Sequence, residues 1–146
     1  MLQGILRTIL LSLILFMMIP IQHVTPDLKP YHDPIIKYVE EHCSQHHYFH
    51  PLKTFIRFNK LPSPIIGLCR VAPLEYIIDI DPQYWNNTSE DLRWELMLHE
   101  MSHCIFRLDH TDDPDNYMYP ELVDMKKEKA WQQFENNVSY LCEGDK

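Results

Sequence analysis

His99, Glu100 and His103 spell HExxH, and only a helix makes that spacing useful. On a helix, side chains at i and i+4 project from one face about one turn apart, so the two imidazoles can share one tetrahedral Zn²⁺. Glu100 sits beside that face. Its carboxylate is placed to serve zinc-activated water as a general base and not to ligate the metal. A catalytic zinc takes three protein ligands and keeps a fourth position open. His110 is the candidate third ligand, with Asp109 as the alternative.

Downstream, Asp109 to Pro120 reads DHTDDPDNYMYP. This segment resembles the matrixin stretch of the metzincin zinc peptidases, where a DH pair is followed eight residues later by the Met of an MYP turn. His110 and Met118 have that separation. The resemblance is close from His99 to Pro120 and loose elsewhere. It implies an α+β, minimal zincin-like domain with a small, mostly antiparallel sheet, an active-site helix, and N- and C-terminal helices. Met118 becomes the Met-turn residue, an apolar floor beneath the zinc. Tyr117, Tyr119 and Pro120 become walls of the pocket that takes the residue after the cut. An antiparallel edge strand beside the active helix would hold extended substrate by strand addition.

The chain departs from that family in one place. Phe106 stands where metzincins have a glycine that turns the chain off the helix, and the spacing to His110 is one residue longer. Asp109 falls at the standard spacing. The DH-to-MYP register and the chemistry of neutral imidazole favour His110, leaving Asp109 to orient a ligand or the turn. Cys104, directly after His103, also makes the motif HExxHC, similar to that of small bacterial and phage proteins assigned as metallopeptidases.

The resulting expectation is a zinc-dependent metalloendopeptidase with one catalytic Zn²⁺, acting on a protein or peptide substrate. A competing expectation is a catalytically silent zinc-binding interaction module at the cell surface. Glu100 discriminates, since a pure binding site has no need of it. A third is a membrane-anchored interaction protein without metal. The net charge of −8 argues against nucleic acid as a partner, because no basic stripe is present to neutralise phosphates.

Residues 1–24 read as a signal peptide or signal anchor and residues 25–146 as the metallopeptidase-like domain. Ile9 to Ile21 is an apolar run of signal-peptide length, interrupted by Pro20, and residues 5–21 are a possible membrane anchor. No small-x-small cleavage site follows, so both fates stay open. Either one predicts an extracytoplasmic domain, secreted, periplasmic or anchored. Four cysteines in an exported chain suggest two disulfides. Cys104 lies off the zinc face and is paired with Cys69 in the strand region, which leaves Cys43 for Cys142. Four buried thiols are the alternative.

Along the chain, Val24 to Pro34 is proline-rich and reads as a linker. Asp33 is expected to cap a helix that starts at Pro34 and runs to about His46, burying Ile35, Ile36, Val39 and Cys43. His42, His46, His47 and His50 read as a solvated helix terminus, with a second metal site as the minor alternative. Lys53 to Asn59, Ile65 to Val71 and Glu75 to Asp81 read as strands, the last two forming a hairpin. Thr88 and Asp91 resemble a capping box for a helix from Ser89 to Arg107. Asp112, Asp113 and Asp115 read as a solvated turn in preference to a calcium loop. A last helix spans Lys126 to Leu141.

Overall fold

The computed structural model describes residues 20–44, 47–49 and 51–143. Residues 1–19 of the expected leader lie outside the described residues, as do His46 and His50 of the histidine cluster. No helix among the described residues is long and apolar enough to cross a membrane.

The chain begins with β1 (Ile21–Val24), a 3₁₀ turn (Pro26–Leu28) and α1 (Lys29–His42). Then come β2 (Lys53–Phe58), β3 (Gly67–Ala72), β4 (Glu75–Ile80), a short α2 (Pro82–Asn86), the long α3 (Glu90–Phe106) and α4 (Lys127–Glu143). The architecture is mixed α and β, with a four-stranded sheet in the order β1-β2-β4-β3. The expected antiparallel character of the sheet is corrected: β1 pairs with β2 in parallel, β2 with β4 in parallel, and only β3 with β4 is antiparallel. Two connections produce this. Helix α1 is the crossover that a parallel β1–β2 pair requires, and the β3–β4 hairpin folds so that its second strand slots beside β2. The hairpin was legible in Ala72-Pro73-Leu74. Strand β1 was not, because its four residues sit in the stretch grouped with the leader and linker.

Helix α1 also starts earlier than Asp33. Leu28 occupies the cap without a side-chain bond, Pro30 falls in the first turn, and Pro34 lies inside the helix. A proline is free of cost near a helix start and loses one hydrogen bond when placed deeper. Burial of Tyr31, Ile35 and Val39 on one face offsets that loss. Helix α3 is capped by Ser89, whose Oγ accepts from the Leu92 N–H at 3.2 Å, and not by Thr88. Asp91, the expected partner of that cap, instead accepts from Lys126 Nζ and the Lys127 N–H, fastening the start of α3 to the start of α4.

Every residue of α3 from Trp94 to Ser102 is buried, so the helix is the axis of the core. Leu96, Met97, Leu98, Met101 and Ile105 are almost fully enclosed, each contributing about 1.5 to 3 kcal/mol by removal of apolar surface from water. Two disulfides brace this core. Cys69 on β3 joins Cys104 on α3, and Cys43 at the end of α1 joins Cys142 on α4, the pairing expected from the sequence. The two bridges fit an oxidising, extracytoplasmic environment.

Candidate metal centre

The last turn of α3 and the loop after it bring three imidazoles to one point. Arg107 ends the helix in the left-handed conformation, φ 58°. A side chain there is uncommon and costs energy, and the turn off the helix falls one residue after Phe106. The chain then doubles back, so the Leu108 carbonyl meets His103 Nδ1 at 2.5 Å and His110 reaches both helical histidines. A second bond, Thr111 N–H to the Met118 carbonyl at 3.1 Å, closes the loop that carries His110.

The three Nε2 atoms stand 3.0 Å (His99 to His103), 3.1 Å (His99 to His110) and 3.1 Å (His103 to His110) apart. The His99–His103 separation is not an ordinary hydrogen bond. His99 Nδ1 donates to the Tyr117 carbonyl at 2.8 Å, and His103 Nδ1 donates to Leu108. Each donation fixes the tautomer, leaving a lone pair on Nε2. Burial pushes His99 down to about 4 and lowers His103, with the neighbouring imidazoles adding to the effect, so both rings are neutral near pH 7. Two lone pairs thus face each other at 3.0 Å, and a single proton on His110 could satisfy only one of them.

A cation resolves that conflict. Three convergent imidazoles, two of them with Nδ1 anchored to carbonyls, suit a metal ion such as zinc, whose nitrogen ligands lie about 3.3 Å apart at tetrahedral angles. His99, His103 and His110 form the single group among the described residues able to hold a metal ion. Asp109 lines the same cavity but does not belong to the converging group. His42 turns its Nδ1 to the Tyr38 carbonyl and stacks on the Tyr38 ring. The Asp112 to Asp115 loop is a turn: Asp113 accepts from the Asp115 N–H, and Lys129 pairs with Asp115.

The histidines open into a cavity of about 710 Å³. One wall is the segment Pro64 to Cys69 with Val71, and the other is formed by Leu96, Glu100, Arg107, Leu108, Pro120 and Leu122. Glu100 is 6% exposed. Burial pushes its carboxyl up to about 7, and the backbone N–H of Cys69 pulls it the other way. Strand β3 is the antiparallel edge of the sheet and packs against α3. It therefore fills the place left open between the two hairpin strands in the sequence reading.

Several expected walls lie elsewhere. Tyr117 is fully buried and, like Tyr119, does not line the cavity; of that trio only Pro120 does. Tyr117 instead braces the centre. Its carbonyl holds His99, its N–H donates to Gln133, and its hydroxyl bonds Ser102 and Asn137. Met118 is buried in the core beside it, with its N–H on Asn116 Oδ1. The bracing role of Tyr117 is carried by a backbone carbonyl, for which side-chain chemistry gives no signal.

Comparison with family models, with curated proteins and with solved structures gives no significant match.

Proposed function

We propose that the protein is a zinc-dependent metalloendopeptidase. The observation that carries this reading is the convergence of three Nε2 atoms, two with their lone pairs fixed by anchored Nδ1 protons, in a cavity that also holds one buried carboxylate. His99, His103 and His110 would hold the zinc, which supplies Lewis acidity toward water and a peptide carbonyl. The carbonyls of Tyr117 and Leu108 keep two of these rings oriented and raise their basicity. Glu100 takes the proton of the attacking water on its carboxylate and delivers it to the leaving amine.

The substrate lies along β3. Asp81 N–H bonds the Ile66 carbonyl, and hydrogen-bonded pairs alternate along an antiparallel ladder. Gly67, Val71 and the Cys69 carbonyl therefore turn away from β4, toward the edge, with the Cys69 N–H directed to Glu100. An extended peptide pairing there passes through the cavity, and the apolar surface of Ile65, Ile66, Pro120 and Leu122 receives its side chains. Oxidised, exported protein is the natural form, consistent with both disulfides.

A broad peptide library incubated with zinc-loaded protein, with chelator-treated protein, and with chelator-treated protein given zinc again tests this. Cleavage lost on chelation and restored by zinc is expected. Zinc-loaded wild type that cleaves nothing would favour a silent zinc-binding module.

A further inference from the structure

Gly67 opens β3 where the strand meets α3. A Cβ built at this position would lie 2.5 Å from Glu100 Oε1, 2.9 Å from Glu100 Cδ and 2.8 Å from Leu96 Cδ1. The backbone does not demand glycine there, because no glycine among the described residues has positive φ. What glycine provides is space. Side chains alternate along a strand, so position 67 points to the same side as Cys69, whose sulfur is bonded to Cys104 of α3. The volume that a side chain at 67 would fill is taken by the Glu100 carboxyl group. Two residues on, the Cys69 N–H faces that same carboxylate and favours its ionised form, and the Cys69–Cys104 bridge holds this part of the strand to the helix that carries Glu100.

We propose that Gly67 is a positioning residue: the bare strand at 67 and the N–H at 69 form a seat that fixes the Glu100 carboxylate in the wall of the histidine cavity. The atoms nearest the built Cβ belong to the far end of the Glu100 side chain and to a leucine methyl. An added methyl therefore displaces the carboxylate and leaves the backbone in place. Of the three candidate ligands, His99 and His103 have their own anchors at Tyr117 and Leu108, and His110 is carried by a separate loop, so none depends on the seat.

The kinetic part of this proposal rests on the peptidase reading; the seat itself does not. The test uses ¹⁵N-labelled, disulfide-intact, metal-free protein. Glu100→Ala first establishes how the Cys69 amide resonance moves when its carboxylate acceptor is lost. Gly67→Ala is then expected to move it in the same direction, with the Thr111 amide, which bonds Met118, unmoved and zinc stoichiometry unchanged. With substrate, Gly67→Ala is expected to lower kcat by about 10²-fold, the cost of a catalytic group displaced by about 1 Å, with KM little changed. Glu100→Asp, one methylene shorter, should harm the Gly67→Ala protein less than it harms wild type. A Cys69 amide that stays at its wild-type position in Gly67→Ala would overturn the proposal. So would a displaced amide with kcat unchanged. If zinc-loaded wild type cleaves nothing, the peptidase reading fails and the amide comparison alone decides whether the seat exists.

Discussion

Helix α3 carries two buried glutamates five positions apart, and they have opposite surroundings. Glu95 is 1% exposed, and each of its oxygens accepts a backbone N–H, from Val123 at 3.0 Å and from Met125 at 2.9 Å. Burial raises its pKa and the two N–H groups oppose that rise. Glu100 is also buried, at 6% exposed, but faces the Cys69 N–H alone and has a cavity on its other side. A buried carboxylate whose lone pairs are met by backbone is a fastener, here clamping the loop before α4 onto α3. One left with spare acceptor capacity in a cavity beside three convergent imidazoles is available for chemistry. Residue type, helix and burial are shared. Only the partners differ.

The largest difference between the two should appear on removing each side chain. Glu100→Ala is expected to reduce peptide hydrolysis by about 10²- to 10⁴-fold, the usual contribution of a general base, while urea denaturation of the metal-free protein shows stability unchanged or raised. Retained hydrolysis would move proton transfer to another group. Glu95→Ala should do the reverse. It strands two N–H groups that had a charged acceptor, so the same denaturation experiment should register a loss on the order of 3 kcal/mol, with hydrolysis by the folded fraction near wild type. A stable Glu95→Ala protein with impaired turnover would erase the distinction.

Tyr117 sharpens the comparison because it touches both kinds of region. Tyr117→Phe removes the hydroxyl that bonds Ser102 and Asn137 but keeps the backbone carbonyl that orients His99. A loss of about 1 kcal/mol in stability is expected, with zinc stoichiometry unaltered. Lost zinc would show that the hydroxyl network, and not the carbonyl alone, holds the metal centre.

The sequence exposed the candidate site of this molecule better than its scaffolding. His99 and His103 were legible because their spacing reports helix geometry directly, and His110 because of the register between the DH pair and the MYP segment. The cysteine pairing followed from helix phase and strand position. The parallel sheet was hidden because β1 is four residues long and lies against the apolar leader in sequence, where no periodicity separates them. Pro30 and Pro34 masked the start of α1, since local proline preference pointed to a linker and tertiary burial of Tyr31 and Ile35 overrode it. Glu95 and Gly67 gave no signal. One acts by meeting backbone groups 28 and 30 residues away, and the other acts by having no side chain, and neither property has a motif.

The claim on which the account turns is that three histidines, and not Asp109, hold one zinc ion. Metal content of the disulfide-intact domain, measured after equilibration with zinc and removal of excess, tests it in His110→Ala and Asp109→Ala proteins side by side. The account predicts one zinc per chain in wild type and in Asp109→Ala, and loss of that zinc in His110→Ala. Zinc retained by His110→Ala and lost by Asp109→Ala would contradict it.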